Sequence, residues 1–269
     1  MSASSVRKWV HEMEIRGKTM FSLDDVRGVF PNVAPQVLLN ALSRLKRDKV
    51  LYSPCNSFYV ILPPQYFLRG AVPPYYFMDA LMRALGRQYY FGLLSAATLW
   101  GAAHQRAQID FVVTTPPRLS SGNDARCGVR WLFKGEMPTE FLCEKNGEAG
   151  PVIYSNAELT ALDLVSFEHH AGGLSAVASI LAELLESTNF VGAAQGVFRH
   201  CDRAAIQRLG FIVECVLHDD RQGAAIFREW RECARSDHTV ALSPRRAAVG
   251  ERNARWKVII NSDVEVDEI

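Results

Sequence analysis

Gln36, Asn40, Ser43, Arg44 and Arg47 fall on one arc of a helical repeat whose opposite arc is Leu38, Ala41, Leu42 and Leu45. Their types suit base recognition. An Asn or Gln amide can pair bidentately with adenine, an Arg fork can pair with guanine, and a helix fits the major groove. Lys18, Lys46, Lys49 and the turn residue Asn56 lie in the same stretch of chain and are candidate phosphate contacts. Polar residues opposite an apolar stripe are also what any solvated helix carries, so the weight falls on the elements around them.

Groups that could do covalent chemistry are fewer. A hydrolase nucleophile elbow needs G-x-S-x-G; Gly92-Leu-Leu-Ser-Ala96 breaks that spacing within a helical pattern, so Ser95 reads as packing. His104, beside Gln105 at an expected helix end, could act as a base, but it reads first as a capping or hydrogen-bonding histidine. His169 and His170 are adjacent, and on a helix they diverge by about 100°, unlike the i, i+4 pair that shares a metal. Asp163 among Leu162, Leu164 and Val165 needs a structural partner, for which an arginine is suited. There is no Walker loop, dinucleotide fingerprint or metal-binding helix motif. The expectation is a protein that is not an enzyme, with no catalytic residue, metal or cofactor.

The elements that position Gln36–Arg47 follow in a fixed order. Val6, Trp9, Val10 and Met13 form one helical face starting from Ser4 or Ser5, with Gly17 as a stop. Lys18–Phe21 is short and partly β-prone. Ser22 then caps a helix over Leu23–Val29, with Asp24 and Asp25 in its first turn. Phe30–Val33 is a turn, Pro35 opens a third helix running to about Asp48, and Val50–Tyr52 and Phe58–Leu62 flank a turn containing Pro54 and Asn56. The sum is a winged helix-turn-helix over residues 1–62. Winged helices also contact proteins, so this pattern favours DNA without excluding a protein-interaction module.

The charge distribution agrees. Residues 1–62 hold nine Lys/Arg and five Asp/Glu, the remainder 21 and 24, within a chain of net charge +1. A basic unit on a slightly acidic body is the footprint of an attached polyanion binder. At 269 residues, 48% hydrophobic and 22% charged, the chain suits a small domain plus a larger one. Pro63-Pro64 and Pro73-Pro74 bracket an expected linker at 63–74, leaving 75–269 as the larger domain. The amphipathic opening lacks the apolar core of a secretory signal, and no apolar run is long enough to span a bilayer, which predicts a cytoplasmic protein with no membrane partner. The six cysteines lack metal or redox spacing and are expected to be buried thiols.

Beyond residue 75, helices are expected over 76–85, 92–100, 157–169, from about 174 to 185 and within 189–235, with strands at 109–113, 129–133, 152–154 and 256–260. The fold class is therefore α+β: an N-terminal winged helix-turn-helix followed by a larger mixed α+β domain. Within this part, Tyr89-Tyr-Phe-Gly-Leu-Leu-Ser-Ala-Ala-Thr-Leu-Trp-Gly-Ala-Ala-His-Gln105, Val152-Ile-Tyr-Ser-Asn-Ala-Glu-Leu-Thr-Ala-Leu-Asp-Leu-Val165, Ala171-Gly-Gly-Leu174 and Asn253-Ala-Arg-Trp-Lys-Val-Ile-Ile-Asn261 follow one another in order. This ordered set resembles the AbiEi-type proteins, the antitoxins and transcriptional repressors of AbiE type IV toxin-antitoxin systems, and the similarity runs over nearly the entire chain.

The resemblance implies a winged helix that binds inverted repeats of double-stranded DNA in the operon's own promoter, and a C-terminal domain needed for neutralisation. It also implies a nucleotidyltransferase-like toxin as functional partner, without a stable complex. The glycine-serine loop and paired aspartates of such a toxin are absent, as in the antitoxin half. The base-contacting residues come from the helix face alone, because residues 1–62 match the family only in pattern. Arg245, Arg246, Arg252, Arg255 and Lys257 form a second basic cluster, readable as a solvated face or an auxiliary phosphate contact.

Overall fold

The computed structural model describes residues 3–103, 108–119, 124–192, 196–233 and 238–266. His104 and Gln105 therefore lie outside the described residues, as does the side chain of Cys233. The chain separates into two compact units, each discontinuous in sequence. The first is Met1–Tyr89, Val112–Gly135 and Glu144–Ile153; the second is Tyr90–Phe111, Glu136–Cys143 and Tyr154–Ile269.

The first unit begins α1 (Ala3–Ile15), β1 (Met20–Ser22), α2 (Leu23–Val29), α3 (Pro35–Arg47), β2 (Leu51–Cys55) and β3 (Phe58–Ile61). Gly17, at φ 72°, takes up the left-handed turn that ends α1. Ser22 starts α2 through a capping box: its hydroxyl accepts from Asp25 N at 3.1 Å, and Asp25 Oδ2 accepts from Ser22 N at 2.7 Å. β3 is central in an antiparallel sheet of order β1-β3-β2, with Phe21 opposite Tyr59 and Leu51 opposite Ile61. The register shifts between Tyr52 and Cys55, around Pro54, a residue with no amide hydrogen to give to a ladder. This order and pairing are compatible with a winged helix-turn-helix. The hairpin turn is tighter than the sequence suggests, only Asn56-Ser57, because Pro54 sits in the irregular part of β2.

A core of its own holds these elements together. Val6 and Val10 of α1, Val26 of α2, Phe30, and Leu38, Ala41, Leu42 and Leu45 of α3 are buried with Phe21 and Ile61 of the sheet. Trp9 meets Phe21 edge-on at 4.9 Å and Phe30 at 6.2 Å. Residues 63–74 also belong to the first unit, where Gln65 and Tyr66 each donate to the Glu148 carboxylate, at 2.6 and 2.8 Å.

The chain continues through α4 (Pro74–Ala84), β4 (Tyr89–Phe91), α5 (Leu93–Trp100), β5 (Asp110–Thr114), α6 (Asp124–Cys127), β6 (Val129–Phe133), β7 (Leu142–Asn146) and β8 (Pro151–Ser155). The five strands form a sheet of order β6-β5-β4-β8-β7, with β4 parallel to β8. Then come α7 (Ala157–Ser166), α8 (Leu174–Leu184), α9 (Arg203–Phe211), α10 (Asp220–Cys233), β9 (Val240–Ala241), β10 (Glu251–Asn253) and β11 (Val258–Ile260).

In the second unit α7 is buried at every position from Ala157 to Val165, as befits a helix packed by α5, α8 and α9. It ends at Ser166 instead of running to His169; a 3-10 turn over Glu168–His170 follows and brings the two imidazole rings to 3.8 Å from each other. Between α9 and α10 the chain is π-helical over Ile212–Val216. At Gly210 a side chain would meet the buried Trp256 ring at 2.0 Å, so only glycine allows this approach. No helix of the described residues is long and apolar enough to cross a membrane.

Candidate nucleic-acid interface

α3 presents the sequence-derived face as a continuous surface. Leu38, Ala41, Leu42 and Leu45 are buried, whereas Gln36, Asn40, Ser43, Arg44, Lys46 and Arg47 are all exposed. Gln36, Asn40, Ser43 and Arg47 follow at i, i+4, i+7 and i+11, a stripe about 17 Å long down the middle of the exposed side. Gln36 Nε2 donates to Asn40 Oδ1 at 3.1 Å, so the two amides are already aligned. The helix carries no carboxylate, and Arg44, Lys46 and Arg47 sit in its last turn, where the backbone dipole favours cations. Asp48, which follows, is paired with Arg7 of α1. Val37 and Leu39 flank the stripe at 43% and 37% exposure, apolar groups on an otherwise hydrophilic face.

The remaining candidates are distributed around this helix. Lys18 is exposed in the turn between α1 and β1. Lys49, at φ 55°, places its ammonium over the Phe67 ring, 5.5 Å from the centroid. Asn56 is exposed at the β2–β3 turn, and its Oδ1 accepts from Arg126 Nη2 at 3.0 Å. The neighbouring Ser57, at φ 63°, offers its carbonyl to Leu23 N at 2.8 Å, tying the turn to the start of α2.

Arg126 is the residue that sequence reasoning did not single out. Its carbonyl accepts from the Tyr52 hydroxyl, and the buried Cys127 thiol donates to the Pro54 carbonyl at 3.1 Å. Burial pushes the Tyr52 hydroxyl up to about 12 and the Cys55 thiol up to about 11; the Arg126 charge opposes both shifts. Nothing in the sequence around Asp124–Cys127 announces this position. The available signal was indirect: residues 51–61 contain no Lys, Arg or His.

Polar groups in the second unit are arranged otherwise. Asp163, fully buried on α7, accepts from the Tyr90 hydroxyl at 2.8 Å. Burial and that neighbouring carboxylate both hold Tyr90 in its protonated form. Ser95 donates to Asp110 Oδ1 at 3.1 Å and accepts from Phe111 N at 2.8 Å, the satisfied hydrogen bonds of a packing serine. Among the described residues no group of three or more His, Cys, Asp and Glu could hold a metal ion. Cys55, Cys127, Cys143, Cys201 and Cys215 are thiols, not disulfides. In the second basic cluster, Arg255 lies 2.8 Å from Glu214 and stacks on Phe227 at 4.1 Å.

Comparison with known proteins adds a family similarity over part of the chain. Residues 90–215 match the family model described as the AbiEi antitoxin C-terminal domain. This stretch of the chain is similar to that domain, and the resemblance to AbiEi-type antitoxins of toxin-antitoxin systems rests on it. Among solved structures, the crystal structure of the RV2827C protein from Mycobacterium tuberculosis is similar over 96% of this chain and 92% of that one, with a TM-score of 0.68 at 12% identity. At that identity the likeness concerns the fold. No curated protein matches.

Proposed function

We propose that the protein is the antitoxin of a type IV toxin-antitoxin system and represses its own operon by binding promoter DNA through residues 1–62. The observation that carries the DNA-binding part is the surface of α3, where an aligned Gln36–Asn40 pair, Ser43, Arg44 and Arg47 face solvent on a helix without a carboxylate. Gln36, Asn40, Ser43, Arg44 and Arg47 read base edges in the major groove; Lys18, Lys46, Lys49 and Asn56 meet the phosphates. The 90–215 domain acts in neutralising a nucleotidyltransferase-like toxin, without a stable complex, in the cytoplasm.

Gel-shift titration on the duplex upstream of the protein's own gene tests the assignment. Arg44→Ala and Arg47→Ala should each cost about 1–3 kcal/mol of binding and relax sequence preference. Undiminished binding by the double mutant would sink the recognition helix. A second reading, in which α3 docks a protein, draws on the exposed Val37 and Leu39. Co-purification with the neighbouring gene product, in a protein showing no salt-dependent DNA binding, would favour it.

A further inference from the structure

The cations of the second basic cluster do not share one fate. Arg255 is spent within the fold, paired with Glu214 at 2.8 Å and stacked on Phe227 at 4.1 Å. Arg245, Arg246 and Arg252 are exposed, and among the described residues their guanidinium groups have no hydrogen bond, ion pair or ring contact. The backbone that bears them is nevertheless pinned. The small sheet runs in the order β10-β11-β9, so residues 242–250 join its two edge strands across the end of the central one. Asn261, just past β11, holds that loop. Its Oδ1 accepts from Ser243 N at 2.8 Å, and its Nδ2 donates to the Ser243 and Ala247 carbonyls at 2.9 and 3.0 Å, with the Arg246 carbonyl at 3.3 Å. At Gly250 a side chain would meet the Ile260 carbonyl oxygen at 2.0 Å, so the far end of the loop is seated on β11 as well, and Arg252 follows in β10 opposite Ile259. Residues 242–250 contain no carboxylate, and the exposed Ala247 and Ala248 leave room for a partner's backbone to come close.

We propose that this loop is a second phosphate-binding surface, on which Arg245, Arg246 and Arg252 grip the backbone of duplex DNA without reading its sequence. An Arg fork matches a phosphate bidentately, and a pinned main chain reduces the freedom lost on contact. Phosphates recur along a strand, so one duplex can meet neighbouring guanidiniums together. An acidic protein is a poorer fit, because the core of a protein interface is apolar and Val249 is the one large apolar side chain that residues 242–250 expose. The inference rests on reading the protein as DNA-binding, and it gives the second unit a surface of its own for that partner.

Anisotropy of the full chain on a labelled random-sequence duplex, over a salt series, tests it. The double variant Arg245→Gln, Arg246→Gln should make the slope of log affinity against log salt shallower by about 1.8, and adding Arg252→Gln should bring the change to about 2.7. Across a fourfold rise in salt, the double variant should then lose about 12-fold less affinity than the unmutated protein. These side chains touch nothing in the fold, so thermal melts should stay unchanged. Arg245→Lys with Arg246→Lys keeps both charges and should keep the slope. Arg255→Gln removes a charge from the same cluster but no phosphate contact, and should keep it too. An unchanged slope in the double Gln variant overturns the proposal and leaves the loop to an acidic protein or to solvent. Flattening by about 0.9 in Arg255→Gln also overturns it, because net charge rather than contact would then be at work. If the unmutated protein shows no salt-dependent binding at all, the DNA-binding reading itself fails, a result distinct from an unaltered slope in the loop variants.

Discussion

Arg44 and Arg47 on α3 and Asp163 on α7 are charged groups on helices, but the two helices use them in opposite ways. On α3 the charges stand in water beside amides and a hydroxyl, while the helix is held by Leu38, Ala41, Leu42 and Leu45 beneath. On α7 there is no outer face to speak of, and Asp163 is turned inward onto Tyr90. Thr160 on the same helix is likewise buried, 2.7 Å from the Ser155 hydroxyl. Exposed polar groups contribute little to stability and remain free to meet a partner; buried ones destabilise the fold unless matched, so matching them is architecture. The contrast separates the surface proposed here for recognition from a core built for shape.

The largest test of that contrast is Asp163→Ala. Removing the acceptor leaves the buried Tyr90 hydroxyl without its bond, and stability should fall by about 1–3 kcal/mol in urea unfolding. DNA affinity of the folded fraction should not change. A variant of normal stability with lost DNA binding would break the division of roles. Ser22→Ala should be smaller, a loss of about 1 kcal/mol, because the capping box at the start of α2 loses its hydroxyl while the core stays intact. Thermal melts of the full chain read this change. Ser22→Thr, which retains the hydroxyl that accepts from Asp25 N and donates to Asp25 Oδ2, should recover most of it.

How far each region could be read in advance follows from the same contrast. α2 falls over Leu23–Val29, where its serine and acidic first turn place it, and α3 begins at Pro35, where the proline does. Amphipathic elements write their period into the chain, because one face must be apolar and the other polar. β4 left no such trace: Tyr89, Tyr90 and Phe91 are buried on both sides, so nothing alternates, although the strand lies in the middle of a five-stranded sheet. β7 was missed for the opposite reason, being an edge strand of largely exposed polar residues ending in Glu144-Lys-Asn146. The α3 face was legible for the same reason as its core. Arg126 was not, since its place at the wing depends on hydrogen bonds between segments more than 70 residues apart, and local periodicity contains none of that.

Lys49 gives the finest test, because in it the outward role and the local fold pull on one residue. Its backbone sits at φ 55°, a region that disfavours side chains, and its ammonium lies over the exposed Phe67 ring. The ring contact stabilises by about 0.5–1 kcal/mol, whereas the left-handed backbone costs roughly 1–2 kcal/mol. Lys49→Ala gives up the cation and retains the strain; Lys49→Gly gives up the cation and relieves it. If Lys49 meets a phosphate, both variants should bind every duplex more weakly, with the salt slope reduced by about 0.9 in each. Their stabilities should part, the glycine variant melting higher than the alanine variant. Equal salt slopes in both variants and the unmutated protein would make Lys49 a residue of the fold alone and move the edge of the recognition surface back to Arg47.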